Sequence, residues 1–399
     1  MEIEITERVK IYKFLTLLLS VTFIISPFSI FILTKSILVL VVTLLVCFLI
    51  SILIFNHGLK KWKSKVLLFF LILIGLIINA EIIFRVLFPE LIIENLYERQ
   101  DNFYFNKPNL SKVIDDDEFQ TLYITNEFGY RVPNRNYIIK EPDWLFVGDS
   151  YTQGAQVNFN ELYSSIIADS NRNKNVLNIG VSGFSLFEEY EIIKKHVSNS
   201  KPETVFLQLC VLNDFNIIEQ KQFGINEWLV EVSDLYRFLY YNNENEETYK
   251  LNGRWVLPFY KNDSENKDFN VLDSRKSDLK KRILDDVSFY LKKIHSLLKS
   301  KNIQLVVILI PTKEQVYSKY LKEVVKNYQL DTNNIDLDFP GKFLNDLSEN
   351  KFEFINPLDD FRKAKGNLYF DTDEHLNVQG HKVLADIINN YENNKWKKQ

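Results

Sequence analysis

Two stretches of this chain, residues 14–33 and 37–55, run for twenty and nineteen residues without an Asp, Glu, Lys or Arg. About 20 apolar residues in helix are what a bilayer core demands, so the pattern predicts two membrane-spanning helices. A third run is uncharged over residues 66–80 and is continued past Glu81 by Ile82, Ile83 and Phe84, which predicts a third span at 66–84. Glu81 and Arg85 lie four residues apart, the spacing at which opposite charges pair on a helix. No small-residue cleavage site follows the first run, so it reads as a retained anchor rather than a signal peptide.

Charge placement sets an expected orientation. Arg8, Lys10 and Lys13 precede the first run, and Lys60, Lys61, Lys63 and Lys65 fill the loop between the second and third, whereas the first loop holds only Lys35. The positive-inside rule places the amino terminus and the Lys-rich loop in the cytoplasm. Three crossings then put the chain after about residue 89 on the far side: a multi-pass protein of the cell membrane with an extracytoplasmic catalytic domain.

The charge balance divides at the same point. Residues 1–89 carry nine Lys and Arg against four Glu, and the chain as a whole is −4, so the remainder is strongly acidic. No basic cluster is available to neutralise phosphates, which excludes nucleic acid as a partner. The two cysteines, Cys47 and Cys210, each sit inside an apolar run and offer no disulfide framework. No Cys/His cluster has metal-ligand spacing and no glycine-rich phosphate loop follows a strand, so neither a metal nor another cofactor is expected.

Beyond a lead-in segment at 90–141, short apolar runs alternate with helical patterns. Runs at 144–147, 176–179, 204–210, 304–310 and 352–355 read as buried strands, and 186–198, 277–300 and 383–391 carry apolar residues at helical spacing. Strand and helix in alternation imply an α/β domain, residues 142–399, whose parallel sheet is covered on both faces. An insertion at about 223–276 breaks the rhythm. It concentrates aromatics, among them Trp228, Tyr236, Phe238, Tyr240, Tyr241 and Trp255, which could stack on sugar rings or pack a small subdomain.

The first strand runs into Gly148-Asp149-Ser150-Tyr151-Thr152-Gln153-Gly154. That is the carboxyl end of a strand, where open α/β sheets bind ligands. A nucleophilic serine needs a base, and five histidines are available. His57 lies beside the apolar runs, His196 and His295 lie in Lys-rich helical stretches, and His381 enters the last helix. His375 alone lies in a loop, at Asp371-Thr372-Asp373-Glu374-His375. A carboxylate must fix its tautomer, and Asp373 or Asp371 can do so. Donors for an oxyanion follow two other strands, Gly183 in Asn178-Ile179-Gly180-Val181-Ser182-Gly183 and Asn213 in Leu212-Asn213-Asp214.

The ordered set Gly148-Asp149-Ser150, Gly183, Asn213-Asp214 and His375 resembles the four blocks of the SGNH, or GDSL-type, hydrolases and acyltransferases over residues 142–391. Asn126-Glu127-Phe128-Gly129-Tyr130-Arg131 and Pro311-Thr312-Lys313-Glu314 are similar to flanking segments of that family's membrane-anchored members. The resemblance implies a flavodoxin-like three-layer α/β/α fold, here preceded by three transmembrane helices. It implies Ser150 as nucleophile and His375 as base, with the Ser150 and Gly183 amides and the Asn213 side chain as oxyanion hole. The family's usual carboxylate stands three residues before the histidine, where this chain has Thr372, and its usual Gly two before the Asn is Val211 here. Some cell-surface members resemble this chain in having Asp two before the His, which favours Asp373.

The expected function is therefore a membrane-anchored serine esterase or O-acyltransferase. It would act on acyl esters, acetyl foremost, of an extracytoplasmic glycan or lipid, with an acyl-transfer membrane protein as a possible partner. The alternative is a catalytically silent binding or assembly partner of an envelope polysaccharide complex.

Overall fold

The structure, a computed structural model, describes residues 96–399 apart from positions 101–102, 138–140, 212, 217–223, 244–249, 252–253, 256–270, 275–277, 329, 350 and 397–399, together with part of 70–88. It divides into two units, residues 1–95 with 223–245 and residues 96–222 with 246–399.

In the first unit the expectation of three transmembrane helices is overturned. Among the described residues no helix is long and apolar enough to cross a membrane. The expected spans at 14–33 and 37–55 lie outside the described residues, and of 66–84 the described positions from Phe70 onward are helical. At its described end Ile82 and Phe84 are buried, while Phe70, Ile74, Ile77, Ile78 and Val86 are exposed. Arg85 Nε lies 2.8 Å from both Glu81 Oε1 and Asp234 Oδ2. Glu81 accepts from Ser233 Oγ at 2.7 Å and from the Asp234 and Leu235 amides at 2.7 and 3.2 Å, so it satisfies the open amides at the start of helix Asp234–Asn243. Phe84 packs against Phe238 with ring centroids 5.3 Å apart. Hydropathy scores an apolar run without regard to the partners of its flanking charges, and here Glu81 and Arg85 are bound within the protein.

The second unit opens with two antiparallel hairpins, β1 (Tyr97–Gln100) with β2 (Phe103–Asn106) and β3 (Ser111–Asp115) with β4 (Gln120–Ile124). Its main sheet comprises β5 (Trp144–Val147), β6 (Val176–Asn178), β7 (Thr204–Cys210), β10 (Gln304–Ile310) and β11 (Glu353–Ile355). A small hairpin of β8 (Lys250–Leu251) and β9 (Arg254–Trp255) lies in the insertion. The main sheet is parallel throughout, in the order β11-β10-β7-β5-β6. Numbered by appearance, that order is 2-1-3-4-5, the flavodoxin-like arrangement. All five strands stand where the apolar runs predicted them, two of them trimmed at one end.

Both faces of the sheet are covered, which is why its strands read as unbroken apolar runs. Leu145, Val147, Val205, Leu207, Val307 and Leu309 face one core with helices Leu186–Asn199 and Asp278–Ser300. Trp144, Phe146, Phe206, Val306 and Ile308 face the other with helices Tyr163–Ser170 and Val378–Trp396. Phe146 and Phe206 stack at 4.5 Å between centroids across neighbouring strands. Each such buried side chain is worth roughly 1.5–3 kcal/mol of transfer free energy. Helix Leu186–Asn199 starts on a capping box, Ser185 with Glu188.

Strand order reverses beside β5, with β6 on one side and β7 on the other. Open α/β sheets bind ligands at the carboxyl ends of strands flanking such a switch point.

Candidate active site

The turn that carries Ser150 leaves the carboxyl end of β5 and is built from strong local signals. Asp149 caps the one-turn helix Ser150–Gln153, its Oδ1 accepting from the Tyr151 amide at 2.9 Å. Gln208, fully buried on the central strand β7, accepts from the Asp149 amide at 3.2 Å and from Thr152 Oγ1 at 2.7 Å. On the other side the turn after β6 lies against it. A Cβ at Gly180 would fall 2.4 Å from the Gln153 amide nitrogen, so the close approach requires glycine.

Arg131, from the flanking Asn126–Arg131 segment, completes the support. Its guanidinium donates to the carbonyls of Gln153 (2.8 Å), Gly154 and Val157. Of these, the Gln153 carbonyl is one that a helix of one turn leaves open, and the other two belong to the turn that follows it. Burial pushes this arginine down to about 10.

The histidine arrives from the loop between β11 and helix Val378–Trp396, 225 residues along the chain. His375 Nε2 lies 2.7 Å from Ser150 Oγ. His375 Nδ1 lies 2.6 Å from Asp373 Oδ1, and the same oxygen accepts from the His375 amide at 2.7 Å. Tyr151 packs its ring 5.0 Å from the imidazole and donates to the Glu374 carbonyl at 3.0 Å. Asp371 points elsewhere, its Oδ1 accepting from Tyr320 Oη at 3.0 Å and Asn367 Nδ2 at 3.2 Å.

Gln156 also reaches His375 Nδ1, at 3.0 Å. The atom that faces it is Gln156 Nε2; with the Nδ1 proton given to Asp373, a flip of this amide would put its carbonyl oxygen there instead. Burial alone would lower the His375 imidazole, but the hydrogen bond and charge of Asp373, with Glu374 and Asp149 beyond, hold it above its ordinary value. Burial likewise pushes Asp373 up, and the His375 contacts and the Lys313 charge outweigh it, so this carboxylate stays below the usual range.

A base must be neutral to accept a proton. The acid limb of any Ser150-dependent reaction is therefore expected above pH 6.5, the ordinary histidine value, with activity lost as pH falls through the raised His375 value. A pH profile of kcat/KM checks this, and a limb centred below pH 6 would contradict the geometry.

Gly183 lies in the exposed turn after β6 at φ +72, where a Cβ would meet nothing, so backbone conformation alone accounts for glycine there. The Val181 amide donates to Gly148 at 3.1 Å, which brings this turn beside the nucleophile. Asn213 follows β7 and gives one amide hydrogen to Asp149 Oδ2 at 2.7 Å, leaving the second for another acceptor.

Asp149, Cys210 and Asp214 bring ligand atoms within 4.8 Å of one another in full burial. Asp149 accepts from Tyr151, Cys210 Sγ and Asn213, and Asp214 Oδ2 from the Cys210 amide, while Asp214 Oδ1 is buried without a partner; burial and the Asp149 charge push the Asp214 carboxyl well up, toward its protonated form. Burial and the two carboxylates push the thiol up, so it stays protonated and is a poor metal ligand. The cluster fits a shared-proton network under Ser150 better than a cation.

The structure brings together Ser150, His375 and Asp373 of the sequence reading, which did not anticipate the contacts of Arg131, Gln156 or Gln208. The Asn126–Arg131 match was the one available signal. His196 and His381 lie apart from the nucleophile in other roles. His196 Nε2 meets Tyr130 Oη at 2.8 Å, and His381 Nδ1 accepts from the Tyr163 amide at 3.3 Å. Of the insertion's aromatics, Phe238 packs within its own unit.

Ser150, His375 and Asp373 in hydrogen-bond sequence at the switch point of a parallel sheet define the class: an α/β protein with a Ser-His-Asp arrangement. No family model matches the chain, and no curated protein matches it. Among solved structures it is similar to a lipolytic protein of the G-D-S-L family from Veillonella parvula, at 15% identity over 61% of this chain and 94% of that one, TM-score 0.32. It is also similar to an acetylxylan esterase from Geobacillus stearothermophilus, at 15% identity over 63% and 94%, TM-score 0.35. Likeness at this level leaves the assignment of roles to the distances within the chain itself.

Proposed function

We propose that this chain is a serine esterase or O-acyltransferase that works through an acyl-enzyme at Ser150. The observation that carries the reading is the continuous relay Ser150 Oγ, His375 and Asp373 at 2.7 and 2.6 Å. Ser150 Oγ attacks the ester carbonyl carbon as His375 Nε2 takes its proton, while Nδ1–H stays on Asp373. The oxyanion is met by the amides of Ser150 and Gly183 and the remaining Asn213 hydrogen. The imidazolium then returns its proton to the departing alcohol oxygen. Water or a second hydroxyl attacks the acyl-serine, and that choice alone separates hydrolysis from transfer. The acyl group in this reading is small, acetyl foremost, carried by a glycan or a lipid. A catalytically silent role gives no reason for three polar side chains to converge at these distances.

The test is turnover of 4-nitrophenyl acetate, butyrate and octanoate by the purified chain, with and without an oligosaccharide acceptor. Acetate is expected to be the fastest substrate. O-acetylated sugar formed at the expense of free acetate identifies transfer. No turnover, or turnover unchanged in Ser150→Ala, overturns the proposal.

A further inference from the structure

The loop that brings Asp373 and His375 to Ser150 has no regular secondary structure, so its backbone groups need partners from elsewhere. They find one in the lead-in segment. Glu118 stands in the turn between β3 and β4, a turn closed by the Asp116 amide on the Phe119 carbonyl at 2.9 Å. Its Oε1 accepts from the Asp371 amide at 2.6 Å, and its Oε2 from the Thr372 and Asp373 amides at 2.8 and 2.9 Å and from Thr372 Oγ1. Three consecutive amides converging on one carboxylate form an anion-binding concavity. Phe119 packs on Phe370, ring centroids 5.1 Å apart. On the carbonyl side, Lys313 Nζ donates to Phe370 and Asp371 at 3.1 and 3.3 Å.

We propose that Glu118 is a positioning residue for the acid–base pair: it clamps the 371–373 backbone so that the Asp373 carboxylate meets His375 Nδ1. This rests on the triad reading above and deepens it. It also accounts for the displaced carboxylate in the sequence. Thr372 stands where the resembled family carries its acid, and here that side chain is a ligand of the clamp, while the acid moves one residue closer to the histidine. Burial pushes the Glu118 carboxyl up, and the bonds from Thr372, Asp373 and Asp371 bring it below its ordinary value, in keeping with an ionised acceptor and charge-assisted bonds.

The experiment is a histidine-selective NMR titration of the full chain, with the His375 ring identified by its loss in His375→Gln. The charged groups around that ring are Asp373 and Glu374 in its own loop, Asp149 beneath Ser150, Lys313 from the segment after β10, and His381 in the last helix. In the wild type His375 is expected to titrate above 6.5. In Glu118→Ala the slackened loop weakens the Asp373 contact that holds the ring up, so the midpoint falls, and Glu118→Gln, which keeps one acceptor oxygen, lies between. The rate at which a fluorophosphonate labels Ser150 falls with it by about 10–100-fold, the scale expected of a misplacement of roughly 1 Å. A purely structural role would lower the folded fraction and leave the midpoint of folded molecules unmoved. An unchanged His375 midpoint in folded Glu118→Ala overturns the clamp. A shifted midpoint in a chain whose wild-type Ser150 never labels leaves the clamp standing and sinks the esterase reading instead.

Discussion

Incubated with a fluorophosphonate, the purified chain is expected to form one covalent adduct, at Ser150, with loss of fluoride. A serine whose proton His375 Nε2 can take at 2.7 Å attacks such electrophiles, whereas ordinary surface serines do not. Removal of the nucleophile or the base in a comparable triad costs roughly 10⁶-fold in turnover. Ser150→Ala and His375→Ala should therefore both be silent by intact mass and peptide mapping. The fold should tolerate both changes. Ser150 sits at the start of a helix already capped by Asp149, and His375 belongs to a loop rather than a core strand. Unchanged melting temperatures verify that. Equal labelling of wild type and Ser150→Ala would remove the reactive-serine reading altogether.

The carboxylates separate just as sharply. Asp373→Asn is expected to lower kcat by about 10⁴-fold, because an amide opposite Nδ1 favours the wrong imidazole tautomer while leaving the geometry intact. Asp371→Asn should stay within a few-fold of wild type, since its carboxylate is engaged by Tyr320 and Asn367 and not by the histidine. Steady-state kinetics on the two variants decides it. Equal losses, or a larger loss at Asp371, would move the acid assignment.

The flanking segments explain why the site could be read only in part. Asn126–Arg131 and the lead-in hairpins carry no nucleophile and no base, yet Arg131 holds the open carbonyls behind Ser150 and Glu118 holds the amides before His375. Glu118 and Thr372 are 254 residues apart. A charged residue in a short polar turn has the same local signature whether it is solvated or clamps a loop. Asn106 is similar: it donates to the Gly180 carbonyl and accepts from Gln153, bracing both turns of the site from a strand that reads as an ordinary aromatic run.

What the sequence determined by itself were features governed by neighbours in the chain. Buried parallel strands are apolar on both faces, so the five strands were legible as runs. A tight turn into a helix demands Gly and Asp, so the place of Ser150 was legible too. Histidine could be chosen because only five exist, four of them beside apolar runs or in helical stretches. Tertiary structure alone decided which of two aspartates turns toward Nδ1, because a loop's side-chain directions depend on what holds its backbone. It also decided the contacts at the end of the third apolar run, where Glu81, Arg85 and Phe84 meet Ser233, Asp234 and Phe238. Hydropathy records that a run is apolar, and only the fold determines which of its side chains find a protein partner.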